Sequence, residues 1–439
     1  MPFVAAMLTA VYVLLPLGAW AFALRRWQRH RQHQPVLGLV FACILGTLFG
    51  IGFVLLNAWL LDGHVSTADA ARTIDVCVAA ACAIKIADWW SMGRLCRWLG
   101  IRRDWAPRRH TLALVAFLVQ RAFMLTLTLG YVFALLLAYR PRVSDGVTPA
   151  TRKLAWQQER FKSADGIDVS GWFLSAPGRP GGTAGSTTVL ICHGVGSRKQ
   201  QQMGLTEFLV GQGYNVMVFD FRAHGSSAGN ACSYGLLERF DVLAAARQVK
   251  QRYPERARRV VGLGINTGAV ALTLAAADPQ GSAIDALILV EPWADFPEMV
   301  AEVSNRLLPV GLRQVVRWVS VPLASCHVGG WLGSFRPAGV MDDLWPRPVL
   351  VIHGRGQTFV SREQEMQFYG RAAWPREEFW PSDNYRKSQA VMKSVRSDAD
   401  LVKLLFRQWV GLSDPTTSDP GVRARMIEFI EDARPQPVI

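Results

Sequence analysis

The chain has 439 residues, of which half are apolar, and its formal net charge is +14. This length favours two or three structural units. Much of the basic excess lies in two Arg-rich loops beside apolar segments, 25–31 and 94–110, so the charge does not indicate a nucleic-acid-binding protein. The seven cysteines include no Cys-x-x-Cys pair, which predicts free thiols rather than a disulfide framework. The sequence contains no motif typical of a metal site, and we expect no cofactor.

Residues 1–147 are predicted to form a membrane region with about four transmembrane helices, because they contain long apolar segments. The predicted spans are 3–24, 36–61, 74–92 and 112–138. The third span is the weakest, since Asp75, Lys85 and Asp88 interrupt it. A signal peptide is not expected, because no basic stretch precedes the first apolar segment and no cleavage site follows it.

The two Arg-rich loops predict the orientation of this region, because short Arg-rich loops stay on the cytoplasmic side. If both loops are cytoplasmic, an even number of crossings must separate them, and 74–92 must therefore span. This topology puts the N-terminus and everything after residue 139 outside the cytoplasm. The lipid bilayer is the first expected partner.

From residue 148 to 413 the pattern changes to strands alternating with helices, which predicts an α/β domain with a mostly parallel, doubly wound sheet. The segments "RFKSADGIDVSGWFLSAP", "TTVLICHG", "NVMVFDF", "RVVGLGI" and "AIDALILVEP" are predicted strands. Residues 297–340 interrupt the alternation with amphipathic pieces and are predicted to be a helical lid. Residues 414–439 hold four prolines and many charges and are predicted to be a loose tail.

Four motifs of this domain occur in the order found in a known family: "GWFL" (171–174), "CHGVGSRK" (192–199), "FDFRAHGSSAG" (219–229) and "VLVIHGRGQTFV" (349–360). They resemble the α/β-hydrolase fold, in particular bacterial membrane-anchored serine hydrolases of the esterase, lipase and serine aminopeptidase type. The resemblance implies a bacterial membrane-anchored protein, and the apolar spans and loop charges predict that it is a multi-pass protein of the inner membrane with an extracytoplasmic hydrolase-like domain. It does not cover the first 147 residues.

The resemblance also implies three catalytic positions, and none carries the family's residue. The Gly-x-Ser-x-Gly nucleophile elbow is here Gly264-Ile265-Asn266-Thr267-Gly268. Asn266 has no nucleophilic hydroxyl, although asparagine tolerates the positive φ of such a turn. Gln357 stands at the acid position, and Tyr385 stands at the base position, or Asn384 if the loop shifts by one. Residues 354–439 contain no histidine, so a register error cannot restore the base.

The oxyanion loop persists at His193, Gly194 and Val195, and the family also uses the backbone N–H at the position of Thr267. The first hypothesis is therefore a membrane-anchored pseudohydrolase that binds an acyl or peptide ligand, or a protein partner, without cleaving it. The alternative is an active esterase, lipase or peptidase that uses displaced residues. The displaced candidates are His193, His224 or His327 as base, Glu291, Asp295 or Asp383 as acid, and Cys192 as nucleophile. A transporter or sensor function of the helices is a third hypothesis with little support.

Overall fold

The computed structural model describes residues 34–60, 64–98, 107–139, 142–144, 147–177, 183–307, 310–354, 361–373, 375–381 and 416–432. The predicted span 3–24 and the predicted site positions Gln357, Asp383, Asn384 and Tyr385 lie outside these residues.

The front of the chain forms three long helices and a short antiparallel strand pair. Their bounds are α1 (Gln34–Leu60), β1 (His64–Val65), α2 (Thr67–Trp98), α3 (Pro107–Ala138) and β2 (Val143–Ser144). Within the described residues, Gly38–Leu56 of α1 and Leu118–Leu135 of α3 are long and apolar enough to cross a membrane, by length and composition alone. The helix α2 contains the predicted span 74–92 but is not among them.

The chain divides into two compact units, Met1–Gly52 with Ile74–Met124, and Phe53–Thr73 with Leu125–Ile439. In the first unit, α1 packs closely on α2 at two glycines. A Cβ atom on Gly46 would lie 2.7 Å from the Val78 Cα, and one on Gly50 would lie 2.8 Å from the Ile74 Cα. Glycine therefore permits the close backbone approach of these two helices.

The second unit contains an eight-stranded sheet. Its strands are β3 (Trp156–Lys162), β4 (Asp168–Leu174), β5 (Thr187–Cys192), β6 (Asn215–Asp220), β7 (Arg259–Ile265), β8 (Ala286–Val290), β9 (Val349–Ile352) and β10 (Arg376–Phe379). Their order across the sheet is β10-β9-β8-β7-β5-β6-β4-β3. The strand pairs from β10 to β6 are parallel, whereas β3 and β4 are antiparallel to their neighbours. The predicted mostly parallel α/β sheet is confirmed.

Helices in the connections cover both faces of this sheet, as parallel strands require. They are α4 (Met203–Gly211), α5 (Glu238–Arg252), α6 (Thr267–Ala277), α7 (Phe296–Leu307), α8 (Val310–Val328), α9 (Arg362–Gly370) and α10 (Pro420–Asp432). The strands β5, β6 and β8 are fully buried, with apolar side chains on both faces. The helices α7 and α8 occupy the predicted insertion between β8 and β9.

The C-terminal prediction of a loose tail is wrong for residues 416–432. Helix α10 buries Val422, Met426, Phe429 and Ile430 against the sheet, at a spacing that puts them on one helix face. Asp419 caps the helix, since its Oδ1 accepts the backbone N–H of Gly421 at 2.7 Å. Prolines misled the sequence argument: Pro420 occupies the first helical position, where proline is favoured.

The end of α3 is bonded to the α/β domain inside the second unit. The Ala138 carbonyl accepts the backbone N–H of Cys232 at 2.8 Å. Four residues later, the Arg142 guanidinium donates to the Ser227 carbonyl at 2.6 Å and pairs with Asp69 at 3.1 Å. The junction between helix and domain is therefore held by both backbone and side-chain contacts.

Candidate functional site

The register of the sheet brings three predicted site residues and one further histidine to one edge. Cys192 pairs with Gly264, Ile265 with Val290, and Val290 with Ile352, each at or next to the end of its strand. The next residues along the chain are therefore neighbours at the carboxyl edge. They are His193, Asn266, Glu291 and His353. Ligands of parallel α/β sheets bind at this edge.

Asn266 occupies a strained turn between β7 and α6. Its φ is 50° and its ψ is −113°, which is unfavourable for a residue with a side chain. The flanking glycines leave room for this turn: a Cβ on Gly264 would lie 2.4 Å from the Ala269 Cα, and one on Gly268 would lie 2.1 Å from the Cys192 carbonyl oxygen. The positive φ expected at Asn266 is observed, and the residue at this strained turn is an asparagine.

The Asn266 side chain caps its own helix. Its Oδ1 accepts the Thr267 backbone N–H at 2.9 Å and lies 3.3 Å from the Thr267 hydroxyl. The Thr267 N–H is the group expected to stabilise an oxyanion, and it is already bonded in this structure. A ligand oxygen would have to displace the amide to use it. The capping bond leaves the Asn266 Nδ2 group as a donor at the half-buried elbow.

His193 is fully buried, and backbone groups occupy both of its ring nitrogens. Its Nδ1 lies 2.8 Å from the Gly194 carbonyl, which can only accept, so Nδ1 carries the proton. Its Nε2 accepts the Phe221 N–H at 3.1 Å. Burial, with a contribution from nearby His224, lowers the pKa of His193 to about 3. His193 is thus a neutral structural residue with neither nitrogen available as a base.

His224 is fixed in the same way. Its Nδ1 donates to the Arg222 carbonyl at 2.8 Å, and its Nε2 accepts the Gly196 N–H at 3.0 Å. The two imidazole rings lie 5.2 Å apart, edge to face. Together these histidines hold the loop 193–196 beside the elbow, so the displaced-base hypothesis does not gain support from either of them.

The charged residues of the "FDFRAHG" segment form buried ion pairs. Asp220 pairs with the Lys199 ammonium and accepts the Lys199 and Ser226 backbone N–H groups, both at 2.8 Å. Arg222 pairs with Asp241 at 2.7 Å on one side and with Asp165 at 2.6 Å on the other. Burial raises the pKa of Asp241 to about 6, even though Arg222 opposes the shift. The motif therefore shapes the loop beside the elbow.

The Cys192 thiol is buried at the end of β5, and burial raises its pKa. A buried, protonated thiol is inert as a nucleophile.

Two further residues at the edge carry ionisable groups. Glu291 is buried, adopts a positive φ of 51°, and accepts the Thr416 hydroxyl at 2.5 Å. His353 is buried between two carboxylates, with Nδ1 3.3 Å from Glu365 and Nε2 3.2 Å from Glu378. Burial raises the pKa of Glu365. Sequence reasoning named Glu291 as a displaced acid and did not foresee the His353 pairs, which depend on residues 12 and 25 positions away.

The other two displaced candidates in the described residues, Asp295 and His327, form contacts within the structure. Asp295 caps α7 through the Glu298 N–H at 2.8 Å and pairs with Arg336. His327 lies 3.1 Å from the Tyr131 hydroxyl.

A Cβ on Gly194 would lie 3.6 Å from the Asn266 Cβ, so the oxyanion loop contacts the elbow, and Val195 is half-buried in that loop. Within the described parts of the chain, no group of three His, Cys, Asp or Glu side chains is placed to hold a metal ion.

Part of the chain is similar to known proteins. Residues 184–331 match the family of serine aminopeptidases, S33. The uncharacterized protein YqkD of Bacillus subtilis is 27% identical over 222 residues, which cover 49% of this chain and 67% of YqkD. The uncharacterized protein Rv2307c of Mycobacterium tuberculosis is 26% identical over 235 residues, or 53% of this chain and 71% of that protein. The Pyrococcus furiosus esterase Pf2001 superposes with a TM-score of 0.46 and 23% identity over 63% of this chain and 99% of the esterase.

The strand order, the strained turn after β7 and the family match to residues 184–331 lead to one identification. The chain belongs to the α/β-hydrolase fold superfamily.

Proposed function

We propose that this protein is a membrane-anchored, non-catalytic α/β-hydrolase that binds a carbonyl- or carboxylate-bearing acyl ligand, or a protein partner, at the carboxyl edge of its sheet. One observation carries the proposal: the strained elbow is intact, and the residue on it is an asparagine whose Oδ1 caps Thr267. The reaction of a serine hydrolase requires a nucleophilic hydroxyl, a base that removes its proton and an acid that orients the base. An amide cannot form the acyl-enzyme, but its Nδ2 group can donate to a ligand oxygen.

The local histidines support a non-catalytic role. Both ring nitrogens of His193 and of His224 are bonded to backbone groups. Each would have to break a bond to act as a base, and breaking it would leave a buried backbone group unpaired. The sequence offers no imidazole after His353.

The helices support anchoring in a bacterial membrane. The β1–β2 pair brings the end of α1 and the end of α3 together, since β1 begins four residues after Leu60 and β2 five residues after Ala138. If α1 and α3 both cross the bilayer, they cross in the same direction, and α2 must make the return crossing. Both Arg-rich loops then lie on the side away from the α/β domain, which the charge rule assigns to the cytoplasm. The proposed domain location is therefore extracytoplasmic.

Two variants of the full-length protein in lipid nanodiscs test the catalytic part of the proposal. The wild-type protein is expected to show no labelling by a fluorophosphonate probe and no turnover of p-nitrophenyl esters. Asn266→Ser alone is expected to stay inactive, because it restores the nucleophile without a base. The triple variant Asn266→Ser, Gln357→Asp, Tyr385→His is expected to gain labelling at residue 266.

Labelling of the wild-type protein at any serine or threonine would refute the non-catalytic assignment. Ester turnover by Asn266→Ser, lost on replacing His193 or His224, would show that one of these histidines acts as the base. A triple variant that folds, judged by its unfolding temperature, but stays unlabelled would refute the assignment of the three positions.

A further inference from the structure

Helix α8 has one buried face and one face that is exposed in an unusual way. Its buried side chains pack into the domain core; they are Val316, Ser320, Val321, Ala324 and Val328. Outside this buried set, Trp318 is 73% exposed, and Val310, the first residue of the helix, is 76% exposed. Among the described residues these are the most exposed large apolar side chains, above every apolar side chain of the two candidate spans.

The helix is also cationic. Arg313 and Arg317, both half-buried, precede Trp318 by five residues and by one, and α8 contains no aspartate or glutamate. Exposed tryptophan and aliphatic side chains beside arginines, without acidic residues, are typical of helices that lie in the interface of an anionic bilayer.

The contacts of α8 put it beside a candidate span. A Cβ on Gly130 of α3 would lie 2.4 Å from the Val319 Cγ1, so the backbone of α3 meets α8 directly. One residue further, the Tyr131 hydroxyl lies 3.1 Å from His327. Gly130 precedes Leu135, the end of the apolar window, by five residues, or about 7.5 Å at 1.5 Å per residue. Interfacial helices bury their apolar face to about 5–10 Å, which is the same depth.

We propose that α8 lies in the interfacial zone of an anionic bilayer, with Val310 and Trp318 among the acyl chains and Arg313 and Arg317 at the headgroups. This inference rests on the membrane anchoring proposed above and extends it from the front helices to the insertion between β8 and β9. The occupant of the exposed face is the lipid surface, because charge, exposure and contact with a candidate span all favour it.

The test uses the full-length protein in nanodiscs that contain anionic lipid. A fluorescent amino acid is incorporated at position 318 by amber suppression, and in a matched protein at position 345, where Trp345 is 60% exposed before the amino end of β9. Quenching by lipids with a doxyl group near the headgroup is compared with quenching by aqueous iodide. We expect position 318 to be quenched severalfold more by the lipid than position 345, and severalfold less by iodide. The variant Arg313→Gln/Arg317→Gln should weaken the lipid quenching at position 318.

Equal access of iodide to positions 318 and 345 would overturn the inference. Protection of position 318 from both quenchers would also overturn it, since that result indicates a protein partner or a second copy. Extraction of the chain from membranes by alkaline carbonate reports on the anchoring separately. A chain that resists extraction while position 318 stays open to iodide refutes only the placement of α8, whereas a chain that is extracted refutes the anchoring itself.

Discussion

Replacing Asn266 by alanine or by glycine separates two opposing effects at the elbow. Its φ of 50° and ψ of −113° cost a residue with a side chain on the order of 1–3 kcal/mol. The cap from Oδ1 to the Thr267 N–H returns about 1 kcal/mol. Asn266→Ala keeps the strain and loses the cap, so it should destabilise the domain by about 1 kcal/mol. Asn266→Gly removes the strain, and glycine is also tolerated as a capping residue. The free energy of unfolding of this variant should therefore exceed that of Asn266→Ala by about 1–3 kcal/mol.

Apparent unfolding temperatures of the full-length protein measure this order, and 1 kcal/mol corresponds to roughly 2–4 °C for a domain of this size. Asn305 supplies the matched control, because it is exposed within helix α7. There the order should reverse, with Asn305→Ala more stable than Asn305→Gly by about 1 kcal/mol. If Asn266→Ala is as stable as Asn266→Gly, the turn at residue 266 is not strained and the argument for a preserved elbow fails.

Two further predictions concern the C-terminal helix and acid stability. Phe429→Ala should lower the free energy of unfolding by about 3–5 kcal/mol, because Phe429 is buried in the core beside the sheet. Glu431 is exposed on the same helix, so Glu431→Ala should change the free energy of unfolding by less than about 0.5 kcal/mol. Equal effects of the two substitutions in urea unfolding would support the prediction of a loose tail. The folded-state pKa of His193, about 3, lies below its ordinary value of 6.5, so its contribution to stability is complete above pH 6.5 and is lost as the pH falls towards 3. His193→Gln should flatten the dependence of the unfolding temperature on pH in this window, and identical slopes for the two proteins would show that His193 is not buried neutral.

Sequence reasoning succeeded where local pattern decides the structure. The continuous apolar runs before His193, Asn266 and Glu291 predict buried parallel strands, and the glycines around Asn266 predict the strained turn. Because the carboxyl ends of parallel strands meet at one edge of a sheet, the residues that follow these strands lie together there.

It failed where a contact depends on a partner distant in the chain. The helix of Val422 and Phe429 is stabilised by burial against strands that lie far earlier in the chain, and its prolines gave the opposite local signal. The capping of Thr267 by Asn266 depends on a single rotamer, and the pairing of His193 depends on the N–H of Phe221 in another loop. No sequence pattern distinguishes these from a free oxyanion donor and a free base.

The hydrogen bonds at the end of α3 limit the motion of the α/β domain relative to that helix. Hydrogen bonds of Arg142 and of the Ala138 carbonyl fix the last turn of that helix to the α/β domain. The connection is therefore rigid and does not act as a flexible linker. Under the proposed anchoring, the elbow at Asn266 would stay at a constant distance from the bilayer surface. Only molecules delivered at that distance, by diffusion in the plane of the membrane or by a neighbouring protein, would come within its reach.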